Sequence, residues 1–390
     1  MLRETHSTPP LAGIQGTRVL TPSGVAPASF KVDRTLLQQA APSDVFLDAG
    51  DLLVLPGIVD IHGDAFERSI RPRPGVQMPY ATALKDVDIQ LLGNGITTAY
   101  HGVTISWEGG LRSVPVAQQM LQTLQDRRTE LGADHRVHLR LEARFTQGWG
   151  VAHQWIEAGR IQFFSVNDHW PQLAAKLEDP VQLARFAERA ECDVRTFVQR
   201  VEAAAEIPPM ALGMEQLVSA ARRAGLSVAS HDDPDAEQRR RLSLLGCNVS
   251  EFPLSEGAAR ESRASGDLIV FGAPNVLRGG SHVGAPGAED MIRKGLCDVL
   301  TSDYYYPSPF LAAFELARRE VLPLAQAWSM VSLNAAAAVG LTDRGRLKAG
   351  HRADLLLVDD AAPGAPRILA SVVGGRLRYA AHGFESRARR

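Results

Sequence analysis

The sequence predicts an α/β fold: a (β/α)8 TIM barrel carrying a small β-sandwich domain built from both termini. Eight short apolar runs, at residues 57–62, 97–105, 137–143, 161–166, 227–231, 248–252, 268–272 and 298–302, predict the barrel. They alternate with Ala- and Leu-rich segments of helical period, such as 116–131, 214–224 and 309–319. Strand alternating with helix implies parallel pairing through right-handed crossovers, and eight such units suit a closed barrel over residues 57–342. No G-x-G-x-x-G follows a strand, so an open doubly wound sheet lacks its usual support.

The ends read differently. Residues 17–20, 45–48 and 52–55 form short β-like pieces separated by Pro, Gly and Ser. Residues 346–347, 353–358, 371–373 and 376–379 repeat that pattern. The expected small domain therefore joins residues 1–56 to 343–390, and its strands pair only once the barrel has brought the ends together.

Composition bounds the function. The chain has 390 residues, 45% hydrophobic and 22% charged, with a formal net charge of −2. That is long enough for one large domain and a small one, and it gives no electrostatic argument for nucleic acid or membrane as a partner. The basic runs at 239–241 and 387–390 read as a solvated helix face and a frayed tail. No apolar run approaches the ~20 residues of a membrane span, and the N-terminal stretch lacks a signal-peptide core. Cys192, Cys247 and Cys297 show no CxxC spacing, so a reducing cytoplasm is expected.

The chemistry lies at the strand ends. Residues 52–64 read LLVLPGIVDIHGD, an apolar run that closes on His62 and Asp64. Residues two apart in a strand share a face, so an imidazole and a carboxylate aim at one point. Barrel chemistry sits at the C-terminal ends of the strands. The other runs end at or near Glu142, Asn167-Asp168-His169, His231-Asp232-Asp233, Glu251 and Asp303. His62, Asp64, Glu142, His169, His231 and Asp303 form the expected metal set, with Glu251 competing with His169 as the extra ligand. Imidazoles with carboxylates suit Zn²⁺, with Mn²⁺ or Fe²⁺ as alternatives, better than Ca²⁺ or Mg²⁺. One ion or two are both open, and Glu142 is placed to bridge two. His101, His135, His138 and His153 read as structural, and Asp60, Asp232 and Asp233 as helix caps.

With these residues in view, the sequence resembles the amidohydrolase superfamily. The opening LLVLPGIVDIHGD and the closing DRGRLKAGHRADLLLVDD are similar to its first-strand signature and to its return into the small domain. Within it the chain most resembles the phosphonate-metabolism branch, the diphosphatases that convert α-D-ribose 1-methylphosphonate 5-triphosphate to the 5-phosphate and pyrophosphate. PRPGV at 72–76, GITTA at 95–99, HLRLE at 138–142, ASHDD at 229–233, EFP at 251–253, GAPNVLRGGSH at 272–282 and SDYYYP at 302–307 carry the resemblance. The chain departs from the branch at His62-Gly63-Asp64-Ala65, where H-T-D-N is usual, and at Trp170-Pro171. Residues 172–209 resemble nothing in it.

The resemblance implies a metal-dependent hydrolase acting on a phosphorylated small molecule through attack of a metal-bound hydroxide. Asp303 is then the general base. Arg71, Arg73 and Arg278 supply forked donors to the phosphates, and Gly279 and Gly280 let backbone N–H groups approach. His282 donates to a phosphate oxygen or protonates the leaving group. An amidohydrolase that cleaves a C–N bond (a deacetylase, deaminase or cyclic amidase) would use the same metal and aspartate without the converging arginines. A non-catalytic barrel scaffold would bind no metal. A homodimer is the default oligomer.

Overall fold

In the computed structural model, which describes residues 11–40, 47–73, 75–209, 212–281, 284–362 and 364–388, all eight expected apolar runs are strands. Before the barrel come β1 (Gly13–Thr21), β2 (Gly24–Asp33), β3 (Leu36–Gln39), β4 (Leu47–Asp48) and β5 (Leu53–Pro56). The barrel strands are β6 (Ile58–Gly63), β7 (Ile96–Ile105), β8 (Asp134–Glu142), β9 (Phe163–Asn167), β10 (Val228–His231), β11 (Val249–Glu251), β12 (Leu268–Gly272) and β13 (Val299–Thr301). They pair parallel in sequence order from β6 to β13, and a parallel bridge between Gly63 and Asp303 joins the two ends of the sheet. After it come β14 (Leu355–Asp359), β15 (Arg367–Val373) and β16 (Arg376–Ala380).

Alternation along the strands sorts the side chains. Leu139 and Leu141 of β8, Phe164 and Val166 of β9, and Ile269 and Phe271 of β12 point outward into the helix-packed core. Val59, Phe163, Ala229, Val249, Val270 and Val299 form a separate apolar plug inside the barrel. Burying a leucine or phenylalanine stabilises by about 2 kcal/mol. The outward face therefore carries the stability of β8, whose inward residues are His138, Arg140 and Glu142.

The two ends of the chain share one mixed sheet of order β16-β15-β14-β5-β1-β2-β3, with β4 also paired to β1. β5 runs antiparallel to β14, placing Leu55 opposite Leu356, so residues from the two ends pair directly, as expected. The sheet has its own core, including Ile14, Val54, Leu355, Leu357 and Leu369. β2 and β3 were not expected. Most side chains of β2 are half-buried or exposed, so it lacks an apolar period. Of the expected strand at 45–48, residues 45 and 46 lie outside the described residues, and 346–347 is not a strand. Among the described residues no helix is long and apolar enough to cross a membrane.

Several expectations need correction. Arg239 does not lie on a solvated face; it is fully buried. Its guanidinium donates to Asp267 at 2.7 Å, to Asp233 at 3.3 Å, and to Ser230 Oγ and the Cys247 carbonyl. Asp233 is thus an ion-pair partner rather than a cap, and helix Ala236–Leu245 is capped by Asp235, which accepts from Gln238 N at 2.8 Å. Asp60 is buried and accepts from Ser302 N at 2.9 Å and from its hydroxyl.

Replacing one partner of a buried ion network leaves the others desolvated and uncompensated. Arg239→Met should therefore destabilise by about 3–5 kcal/mol in urea unfolding. Arg240→Met, at a neighbour whose side chain is 60% exposed, should change stability by less than about 1 kcal/mol.

Candidate metal centre

The polar residues at the mouth grow directly out of the apolar plug. His231 stands two residues after Ala229, and Glu251 two after Val249, so each shares the inward face of its plug residue. Asp303 likewise follows Val299 and Thr301. Just past three strand ends the chain turns through the left-handed region, at Asp232 (φ 58°), Phe252 (φ 52°) and Asp303 (φ 53°). Each of these residues donates its N–H to a neighbouring strand, to the Glu251, Val270 and His62 carbonyls respectively, all at 2.9 Å. The barrel ladder thus overdetermines a conformation that costs about 1 kcal/mol per residue.

Two ligand sets result. His62, His231 and Glu251 each offer a ligand atom, all within 4.8 Å of one another, and so do His169, His231 and Asp232. His62 Nδ1 lies 2.9 Å from Glu251 Oε1, and His62 Nε2 lies 3.8 Å from Asp64 Oδ1. His169 Nδ1 is bonded to Glu142 Oε1, which leaves Nε2 3.4 Å from Asp232 Oδ2. His231 Nδ1 lies 3.3 Å from Asp232 Oδ1. Arg140 reaches between the sets, donating to Asp64 Oδ2 at 2.7 Å and lying 3.1 Å from His231 Nε2. His138 stands below, 3.6 Å from Glu251 Oε2.

Burial and charge pull these groups apart. Burial alone would lower the His62 and His169 pKa values, but adjacent carboxylates win. Glu251 and Asp64 raise His62 to about 10, and Glu142 and Asp232 raise His169 to about 9. Burial would raise Glu142 and Glu251, yet neighbouring imidazoles bring each down to about 2. His231 and His138 follow burial downward, to about 4 and about 3. Asp303 goes up to about 6 through burial and then the Asp64 charge.

The donor set fits a divalent cation. Buried Asp64 Oδ1, His231 Nδ1 and Glu251 Oε2 have no hydrogen-bond partner among the described residues, although buried polar atoms are rarely left so. All three belong to, or adjoin, the two ligand sets. Both candidates for the extra ligand, His169 and Glu251, are present. Asp64 is held by Arg140, with one oxygen still turned toward His62. Glu142 stands behind His169, as carboxylates do behind metal-bound histidines. Asp303 belongs to neither set.

The expected phosphate binders are dispersed. Arg71 forms an ion pair with Glu191 through one guanidinium nitrogen. Arg73 is exposed. Arg278 is exposed at the end of helix Ala273–Arg278 and lies 3.3 Å from Tyr304 Oη, beside Asp303. Gly279 and Gly280 follow it with φ of 78° and 158°. His282 lies outside the described residues. His101 and His135 form a chain with Asp88 through 2.9 Å contacts, and His153 sits beside Glu157, as structural histidines do.

Sequence reasoning missed Asp232, Arg140 and His138. The period-2 run His138-Leu139-Arg140-Leu141-Glu142 carried the signal for two of them, since it places one polar residue after another on one face. It also missed a cavity of about 530 Å³ that opens off His169 and Asp232 and is lined by Arg112, Lys176 and Arg189 among others.

The family described as "Amidohydrolase family" matches residues 283–379. The α-D-ribose 1-methylphosphonate 5-triphosphate diphosphatase of Escherichia coli K12 is 32% identical over 317 residues, covering 78% of this chain and 82% of that protein. The chain belongs to the amidohydrolase family. An imidazolonepropionase from Deinococcus deserti is 26% identical over 343 residues, covering 82% of this chain and 80% of that protein. In fold, the chain matches the 5-methylcytosine deaminase structure from Klebsiella pneumoniae with a TM-score of 0.61. That match covers 95% of this chain and 98% of that one at 17% identity. As a member of this family the chain is a hydrolase, and its His and Glu side chains offer a metal site.

Metal and protons compete here. His62 and His169 are raised above their usual 6.5, so the metal-free stability they contribute is complete below about pH 6.5 and is lost as pH rises through 9 to 10. Ligation needs the neutral imidazole. Zn²⁺ affinity, measured by chelator competition, should rise between pH 6.5 and 9 by about tenfold per unit for each proton released. The melting temperature of metal-free protein should fall over the same range.

Proposed function

We propose that this hydrolase cleaves a phosphoanhydride, releasing pyrophosphate from a triphosphate of the α-D-ribose 1-methylphosphonate 5-triphosphate class. The observation that carries the reading is the cavity beside His169 and Asp232, whose lining includes the three cations Arg112, Lys176 and Arg189. Triphosphates need such charge, and arginine forks suit their oxygens. The identity with the Escherichia coli diphosphatase supports the same reaction.

His169, His231 and Asp232, or His62, His231 and Glu251, would hold a divalent ion, with zinc favoured by the imidazole and carboxylate donors. Bound there, the ion would supply Lewis acidity and lower the pKa of water toward neutrality. Asp303, raised to about 6, is a carboxylate at pH 7 whose basicity suits it to take the proton of the attacking water. It then returns that proton to the leaving oxygen. Arg140 offers fixed positive charge beside Asp64 and His231, where phosphoryl charge develops. In this reading Arg278, Gly279 and Gly280 face the departing phosphates, and Arg71 acts through Glu191.

A second reading, hydrolysis of a C–N bond, draws support from the imidazolonepropionase relative, and Asp303 would serve it equally. Incubation of Zn²⁺-loaded protein with the ribose methylphosphonate triphosphate, and with a panel of cyclic amides and aminated heterocycles, separates the two readings. Pyrophosphate release is expected. Asp303→Asn should lower kcat for that release by about 10²–10⁴ with metal content unchanged. Persistent turnover would remove Asp303 from its role.

A further inference from the structure

The barrel strand next to the first carries a glycine at a position whose backbone would accept alanine. Gly102 lies inside β7, which is buried along its whole length, and it pairs with His138 of β8. It stands two residues after Tyr100 of the apolar plug, so it shares that inward face. Its φ lies outside the left-handed region, so no turn requires glycine here. A glycine within a strand weakens it and often marks the close approach of another group.

The group that approaches is the Asp64 carboxylate. A Cβ on Gly102 would stand 2.3 Å from Asp64 Oδ1, 3.2 Å from Arg140 Cδ and 3.5 Å from Asp64 Cγ. None of these three nearest atoms belongs to the backbone, so the conflict would fall on two side chains of the mouth and not on the barrel frame. Asp64 is already held at two points. Its backbone N–H donates to the Asp303 carbonyl at 2.7 Å, and Oδ2 accepts from Arg140 at 2.7 Å. Oδ1 then rests where the missing methyl would be. That oxygen is buried, has no hydrogen-bond partner among the described residues and lies 3.8 Å from His62 Nε2.

We propose that Gly102 is a positioning residue for the metal centre: the space left by its absent side chain seats Asp64 Oδ1 and keeps that oxygen turned toward His62 as a ligand atom. The proposal rests on the metal reading of Asp64 and is independent of which bond the enzyme cleaves.

The test is Zn²⁺ affinity by chelator competition in wild type, Gly102→Ala, Asp64→Ala and the double variant. Gly102→Ala should weaken Zn²⁺ binding by about 10–100-fold, the usual cost of disturbing a group that orients a ligand. Asp64→Ala should weaken it as well, and adding Gly102→Ala should then cost nothing further, because no carboxylate remains to be displaced. A glycine that only supported the fold would weaken binding equally in both backgrounds. Wild-type affinity in Gly102→Ala, or a full further loss in the Asp64→Ala background, overturns the proposal. Unchanged affinity in Asp64→Ala instead removes Asp64 from the metal set, and the role of Gly102 falls with it. Should Gly102→Ala fold poorly, urea unfolding of the metal-free double variant decides. Recovery of the midpoint seen in Asp64→Ala places the clash on Asp64, and a midpoint as low as that of Gly102→Ala overturns the proposal.

Discussion

Two backbone hydrogen bonds at the barrel seam hold the candidate site in register. Asp303 N–H donates to the His62 carbonyl at 2.9 Å, and Asp64 N–H donates to the Asp303 carbonyl at 2.7 Å. They join the last barrel strand to the first, so the candidate base and the His62-Asp64 pair cannot shift independently. Gly63 lies at this seam, and a Cβ there would stand 2.9 Å from Asp60 Oδ2 and 3.1 Å from Ser302 Oγ. Those two groups bond to each other and fill the space a side chain would need. This is a physical reason for glycine at position 63.

Above the seam the interior changes from hydrocarbon to ionisable groups within two residues at several strands, as from Ala229 to His231 and from Val249 to Glu251. Such a layer is expensive, because buried carboxylates lose hydration that only close partners restore. Each expense is met locally: Asp64 by Arg140, Glu142 by His169, Glu251 by His62, and Asp233 by Arg239. The oxygen of Asp64 that Arg140 does not reach, and that of Glu251 turned away from His62, are left without donors. The polar layer is therefore left with unpartnered atoms at Asp64, His231 and Glu251, members or neighbours of the ligand sets, as a cation site requires.

Much of this was legible in the sequence because barrel strands are short and their ends are chemically marked. The eight strands, the direct pairing of the two chain ends, and His62, His169, His231 and Glu251 at the mouth all follow from apolar runs that stop on ligand-type residues. Three things were not legible. Half-buried strands such as β2 carry no apolar period. Arg239 sits in a run of three arginines, and nothing local reveals that one of them is captured by Asp267, 28 residues away. Asp232 looks like a helix cap until the left-handed turn at its own φ aims it back at His169 and His231. Local chemistry was readable; which face a turn residue takes was decided by tertiary hydrogen bonds.

The same division separates chemistry from selectivity. Residues at strand ends are positioned by the barrel ladder, so they tolerate no local rearrangement. The 170–205 wall is positioned by side chains instead: one carboxylate, Glu108, receives Arg112 and Arg189, while its backbone receives Arg200. The Arg189 pKa is lowered, first by desolvation against the surrounding protein and then by the like charge of Arg112, although 40% of its side chain is exposed. Glu108 thus takes hydrogen bonds from two arginines that border the cavity, with Glu67 acting on both as well, and Lys176 adds a further cation to the lining. Side-chain attachment of this kind lets a wall be exchanged without disturbing the ladder beneath it.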